Sequence, residues 1–301
     1  MLSTYPDALV LGEGSNVLFT QDLSRAVIII DIKGIDVVQR TDTFLEVKVA
    51  AGENWHDFVL WCLGHDLGGV ENLSLIPGKC GAAPIQNIGA YGVELSHVLT
   101  SVTCMDRQTL VEHTLDKSEC KFGYRDSVFK QAYKDRFVVT SITLRLTTQG
   151  HHKKNCSYGA IQDVLSSWSV VDPSIKDISA AVIQIRQSKL PNPRYLPNAG
   201  SFFKNPVVDQ QTFLSLQERY PDIPSYPIDD KKRKIPAGWL IDKCGWKGVM
   251  LDKVGVHAQQ ALVLVNHGER DGYKIKLLSQ LIQKHVAEVF GVDLQGEVNI
   301  F

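Results

Sequence analysis

No apolar run in the chain approaches the roughly 18 residues that a membrane-spanning helix needs. Residues 1–10 also lack the basic and apolar regions of a signal peptide, so the expectation is a cytoplasmic protein with no membrane partner. Cysteine is sparse. Cys62, Cys80, Cys104, Cys120, Cys156 and Cys244 form no C-x-x-C pair and show no histidine spacing typical of zinc, which points to reduced thiols and no metal. A surplus of charge is missing as well. With 32 Lys and Arg against 33 Asp and Glu, no global field draws the chain to nucleic acid. One basic run, DDKKRK at 229–234, has acidic neighbours and no interleaved aromatics, and reads as a solvated loop. Internal repeats and low-complexity tracts are absent.

What is present is enough apolar residue, 44% of 301, to bury a substantial core in two or three domains. Segments 8–11, 17–19, 26–31, 44–50, 98–105, 137–146 and 261–265 read as strands by β-branched content or alternation. Helices are expected over 54–63, where Trp55, Phe58, Val59 and Cys62 share a face, and over 175–188, with Ile178, Val182 and Ile185. Others fall at 212–219, 238–244 and 271–290. In the last, Asp271 is the N-cap, Ile275, Leu278, Ile282 and Val289 lie on one face, and Gly291 is the stop. Pro191 and Pro193 mark a linker and a domain boundary. Residues 296–301 read as a short strand bearing Glu297. The class is α+β.

Four stretches can carry chemistry. Asn198 to Pro206 reads NAGSFFKNP, in which the hydroxyl of Ser201 follows a glycine that leaves room for close approach. Lys204 and Asn205 add a cation and an amide. The same nine residues also fit a strand between two turns, with Phe202 or Phe203 in the core. The loop holding Gly12, Glu13, Gly14, Ser15 and Asn16 follows a strand and suits convergence of backbone N–H groups on phosphate, although an ordinary turn has the same composition. Val17 stands where a Rossmann fingerprint has its third glycine, so that fingerprint is excluded. Residues 77–92, PGKCGAAPIQNIGAYG, are too rich in glycine and proline for a regular element and too apolar for disorder. Such a segment can wrap a planar ligand, with Ile85, Ile88 and Ala90 against its faces, or it can be a buried crossing. Finally, Arg125 sits between Tyr124 and Asp126, a setting for a guanidinium that grips a carboxylate or for a plain surface turn.

Five motifs then stand in order: LGEGSN at 11–16, IPGKCGAAPIQNIGAYGVEL at 76–95, GYRDS at 123–127, NAGSFFKNP at 198–206 and GVHAQQALVLVN at 255–266. In that order they resemble the UDP-N-acetylenolpyruvoylglucosamine reductase family of bacterial peptidoglycan synthesis, the type with a Tyr-bearing insertion. The resemblance implies a two-part FAD-binding domain of the PCMH/MurB-like kind and a separate α+β substrate-binding domain. Its boundaries would be 1–33 for the first flavin subdomain, 34–190 with 291–301 for the second, and 191–290 for the substrate domain. It implies FAD and NADPH as cofactors and a UDP-sugar enolpyruvyl ether as the small-molecule substrate of a monomer. Arg125, Ser201 and Glu297 match the family's catalytic residues, Ser201 as the proton donor. Tyr124, Tyr158, Lys189, Asn205 and Gln260 match its substrate contacts. Flavin contacts fall on Gly12, Gly14, Ser15 and Asn16. In the second segment they fall on Pro77, Gly78, Gly81, Ala82, Pro84, Ile85, Gln86, Asn87, Gly89, Ala90, Tyr91 and Gly92.

Relatives carry further strands before the glycine loop and extend beyond the acidic strand. A truncated remnant that binds flavin or nucleotide-sugar is therefore one alternative, and another FAD oxidoreductase of the same fold is a second. Retention of Arg125, Ser201 and Glu297 favours the enzyme.

Overall fold

A computed structural model describes all of residues 1–301. It divides into two compact units, Met1–Ser15 with Ser24–Ser188 and Asn16–Leu23 with Lys189–Phe301.

The first unit is organised on a five-stranded antiparallel sheet in the order Ile35–Arg40, Phe44–Ala50, Phe137–Thr147, Leu99–Asp106, Glu112–Asp116. Alternation decides its faces. Leu45, Val47 and Val49 are buried, while Phe44, Glu46 and Lys48 point the other way and stay partly exposed. The buried face packs on the helix Trp55–Gly64 through Trp55, Phe58, Val59 and Cys62, the four positions its periodicity picks out. Asn54 starts that helix by accepting from the amides of His56 and Asp57 at 2.9 and 3.1 Å. Leu9–Leu11, which leads into the first glycine loop, pairs in parallel with Val27–Ile29. A small separate core joins Ile161 and Leu165 of the helix Gly159–Ser167 to Ala181, Val182 and Ile185 of the helix Ile175–Lys189. The shorter of these helices escapes the sequence reading, because GAIQDVLSS offers only two buried positions.

Just after the strand Phe44–Ala50 the chain crosses the end of the parallel pair. Gly52 donates to the Ile32 carbonyl at 2.9 Å, and a Cβ there would lie 2.4 Å from the Ile32 nitrogen. Backbone cannot step aside like a side chain. We expect Gly52→Ala to destabilise the protein by about 1–3 kcal/mol or more, as overpacking does. An unchanged melting temperature would show that the crossing is looser than these distances.

The second unit holds a four-stranded antiparallel sheet in the order Asn198–Ser201, Val263–Asn266, Val254–Val256, Met250–Leu251. The helices Ala237–Lys243 and Tyr273–Phe290 share its core. The long helix corrects two details of the sequence reading. It begins at Tyr273 with Gly272 at the cap position, although Asp271 still accepts from the Tyr273 amide at 2.9 Å. Its buried stripe runs through Ile275, Leu278, Ile282, Val286 and Phe290, with Val289 only beside it. Gly291 ends the helix at φ +65°, as expected of a left-handed stop.

The basic run is not a loop throughout. Lys232–Lys234 is the middle strand between Val207–Asp209 and Tyr226–Pro227, and Arg233 covers the Phe213 ring at 4.9 Å while donating to Gln210 at 3.0 Å. Paired neighbours supply a ladder that composition alone does not reveal. Residues 291–301 cluster with this unit, where the sequence reading groups them with 34–190. Val292, Leu294 and Val298 bury in its core, and Asn299–Ile300 pairs in parallel with Val17–Leu18. Glu297 precedes that strand instead of lying on it. No helix is long and apolar enough to cross a membrane.

Candidate functional site

In the first unit two glycine-bearing segments lie against each other. Glu13 accepts from the Gly78 amide at 3.0 Å and from the Asn54 side chain at 3.4 Å, tying the loop at 12–15 to the segment at 77–92. The approach is close. A Cβ on Gly12 would lie 3.3 Å from Lys79, one on Gly78 would lie 3.0 Å from the Ser15 hydroxyl, and one on Gly81 would lie 2.5 Å from the Ala51 Cβ. Gly14 at φ +73° and Gly78 at φ +115° hold backbone angles that L side chains rarely adopt. The amides of Gly14 and Ser15 make no hydrogen bond inside the protein. Free donors on a left-handed glycine turn form a concavity suited to phosphate oxygens. The donor set therefore fits the pyrophosphate of a dinucleotide such as FAD.

Within 77–92 the chain makes one short helical turn, Cys80–Ala82, and a small hairpin, Gly89–Ala90 with Val93–Glu94. Asn87 is fully buried and its side chain is engaged in scaffolding: it donates to Glu94 at 2.7 Å and the Gly123 carbonyl at 3.1 Å, and accepts from the Ser96 amide at 2.9 Å. Pro84 is buried, Ala82 and Pro77 are exposed, and Ile85, Gln86 and Ala90 are half-buried.

The Asn87 staple fixes the next turn. Gly123 and Asp126 exchange backbone hydrogen bonds at 3.0 and 3.2 Å, leaving Tyr124 and Arg125 at the tip. Arg125 adopts φ +52°, an unfavourable angle for a residue with a side chain. Its guanidinium lies 5.6 Å from the Tyr124 ring centre and donates to the Gly89 carbonyl at 2.8 Å. The neighbouring acid is occupied elsewhere, since both Asp126 oxygens accept from Gln131 at 3.0 and 3.1 Å.

Arg186 joins this group without any warning from the sequence. Its Nε donates to the Leu75 carbonyl at 3.2 Å, and its guanidinium interacts electrostatically with the Tyr91 phenol. Burial, and then the nearby charge of Arg125, pull its pKa below the usual arginine value, against the opposing effect of Tyr91. Burial likewise raises the Tyr91 phenol, with Arg186 pulling the other way. On a helix ending three residues later at Lys189, an arginine outside the apolar stripe reads as a solvated cation. Tyr91 at φ +50° meets Tyr158 edge to face at 5.2 Å, and Asn72 donates to the carbonyls of both Tyr91 and Asn155. Tyr158 is 40% exposed at the start of the helix Gly159–Ser167.

In the second unit Ser201 ends the strand Asn198–Ser201, opposite Val263 and after a bulge in which Gly200 takes φ +72°. The strand expectation for this stretch is met, and both Phe202 and Phe203 are buried because alternation stops where the strand does. The turn then meets the C-terminal segment. Glu297 donates its amide to the Phe202 carbonyl at 2.8 Å, and Lys204 donates to Gln295 at 2.9 Å. Ser201 and Glu297 are thus brought to adjoining stretches of backbone. Asn16 bonds the Glu297 carbonyl at 3.2 Å. Asn205 accepts from the Ala237 amide at 2.9 Å, at the start of the helix Ala237–Lys243, and Gln260 lies against Gly238 of the same turn. Lys189 is exposed.

Residues 192–301 match the UDP-N-acetylenolpyruvoylglucosamine reductase C-terminal domain, and residues 7–114 match an FAD binding domain. Curated relatives bear the name UDP-N-acetylenolpyruvoylglucosamine reductase. That of Flavobacterium johnsoniae is 46% identical, that of Amoebophilus asiaticus 49% and that of Pseudomonas aeruginosa 46%, each over 97% of this chain and 86% of the relative. Among solved structures, the UDP-N-acetylenolpyruvylglucosamine reductase of Thermus caldophilus has the same fold. It gives a TM-score of 0.64 at 22% identity, over 98% of this chain and 85% of that one.

Proposed function

The chain belongs to the UDP-N-acetylenolpyruvoylglucosamine reductase family, and from that premise we propose which of its residues carry the reaction. It is an FAD-dependent oxidoreductase that uses NADPH to reduce the enolpyruvyl ether of a UDP-sugar in peptidoglycan precursor synthesis. The observation that carries the reading is identity of 45–49% across nearly the whole chain, which spans both units.

FAD held in this cradle would supply the β carbon of the enol ether with hydride drawn from NADPH. The amides of Gly14 and Ser15 hold its phosphates, with the glycines of 77–92 allowing close approach. Gain of hydride at the β carbon leaves negative charge spread toward the substrate carboxylate. Arg125 stabilises that charge, and its left-handed backbone holds the guanidinium before substrate arrives, so little reorganisation is needed. Ser201 gives its proton to the α carbon, and Glu297 helps to orient the enol. Lys189 takes the diphosphate as a point charge, while Tyr124, Tyr158, Asn205 and Gln260 bind the remaining polar groups of the UDP-sugar. A nucleotide-sugar substrate and NADPH support a cytoplasmic location, and the family resemblance supports a monomer.

Two measurements test the reading. The purified chain should be yellow with dissociable FAD; a colourless protein that takes up no added FAD would exclude the flavin. Steady-state rates should give parallel double-reciprocal lines for NADPH and substrate, because the sequence holds one dinucleotide cradle and no Rossmann unit for a second. Intersecting lines would contradict alternate use of one site.

A further inference from the structure

The first unit also contains a groove of about 1310 Å³ that none of the residues given a role above lines. It opens where Phe44 pairs with Thr147 at one end of the five-stranded sheet. Ala50 is six residues further along that strand, about 20 Å away, and Gly81 of the flavin segment packs against Ala51 beyond it.

The lining is of two kinds. Phe44, Val93, Val98 and Phe122 give an apolar wall, and Lys117, Lys121 and Lys153 stand around it. None of these lysines has an ion pair or a side-chain hydrogen bond. Two carboxylates in the lining stand against them, each bound to nearby neutral donors and not to a lysine. Asp116 accepts from the amides of Ser118 and Glu119 and from the Ser118 hydroxyl, and the buried Glu71 accepts from the Gly69 amide at 2.6 Å. Arg145, the fourth cation, is held by Glu46 at 2.7 Å and lies 4.4 Å from the Phe44 ring centre. Lys121 reaches the rim from a turn in which it holds φ +46°, a costly angle for a side-chain-bearing residue. Three unpaired lysines against two carboxylates leave this concave, partly apolar wall net positive, and its shape focuses that potential.

We propose that this groove binds an organic phosphate, the lysines taking the phosphate oxygens and the apolar wall taking the group they are attached to. Ammonium groups act as compact point charges and suit phosphate without demanding a fixed fork geometry. A bare anion would leave Phe122 and Val98 uncovered. The inference does not depend on the catalytic roles proposed above.

The test uses the FAD-loaded full chain, with ADP and inorganic pyrophosphate as probes in equilibrium dialysis at low ionic strength. ADP should bind saturably, more weakly as salt is raised, and at least about tenfold more tightly than pyrophosphate. The variant with Lys117→Gln, Lys121→Gln and Lys153→Gln should lose at least about tenfold in ADP affinity, with its melting temperature and its KM for NADPH unchanged. Absent ADP binding, equal affinity for pyrophosphate, or undiminished ADP binding by the triple variant overturns the proposal. Should the triple variant melt early, Lys153→Glu in the coil before Asn155 makes the same comparison, and undiminished ADP binding there overturns it equally.

Discussion

Ser201→Ala is expected to slow the half-reaction with the enolpyruvyl substrate by about 10²–10⁴-fold, the usual value of a positioned general acid, while NADPH still reduces the enzyme at the wild-type rate. The asymmetry is the point of the experiment. Reduction by NADPH requires no proton at the α carbon, so only a residue that supplies that proton separates the two halves. Ser201 follows Gly200 at φ +72° and ends a strand, so removing its hydroxyl leaves the backbone path unchanged. Ser201→Cys should recover part of the rate, because a thiol at the same position still carries a proton. Stopped-flow absorbance at the flavin band follows each half alone. Equal slowing of both halves would make Ser201 a structural residue of its strand, and the proton would have another source.

The second large effect is expected at Arg125, where conformation and charge can be separated. Arg125→Asn keeps a residue type that tolerates the left-handed region, so the turn between Gly123 and Asp126 should persist with stability within about 0.5 kcal/mol of wild type. It removes the cation. We expect kcat/KM for the enolpyruvyl substrate to fall by about 10²–10³-fold, the scale of losing one preorganised electrostatic partner. Arg125→Lys should fall between the two, because it keeps the charge without the fork that grips a carboxylate. Arg125→Val should behave differently, adding about 1–3 kcal/mol of destabilisation, since a β-branched residue is strained at φ +52°. A thermal melt beside the kinetic assay distinguishes these outcomes. If Arg125→Asn retained wild-type kcat/KM, the carboxylate would have another partner, and Arg186 would be the first to examine.

Arg186 shows why part of the candidate site was illegible in the sequence. One letter describes both a solvated helix arginine and a guanidinium that donates to Leu75 beside the Tyr91 phenol, and only the fold of the hairpin around Tyr91 distinguishes them. The same limit applies to Lys232–Lys234, whose strand depends on neighbours well outside its own segment. By contrast, the helix Trp55–Gly64 and the strand Phe44–Ala50 were legible to within a residue, because the period of their apolar residues is local and survives in any tertiary setting.

The sequence by itself therefore determined the α+β class, the apolar faces of the helices Trp55–Gly64 and Ile175–Lys189, the irregular glycine segments and the order of motifs that marks the family. Each depends on residues a few positions apart, where helix and strand geometry fix which side chains are neighbours. Only the tertiary structure decided that residues 291–301 close the core of the second unit, and that Glu297 lies against the turn after Ser201. It also decided that Asn87 is a staple and that Arg186 accompanies Arg125. Those facts rest on hydrogen bonds and burial between segments far apart along the chain. No local period encodes such partners, because the free energy that selects them belongs to the packed whole and not to either segment alone.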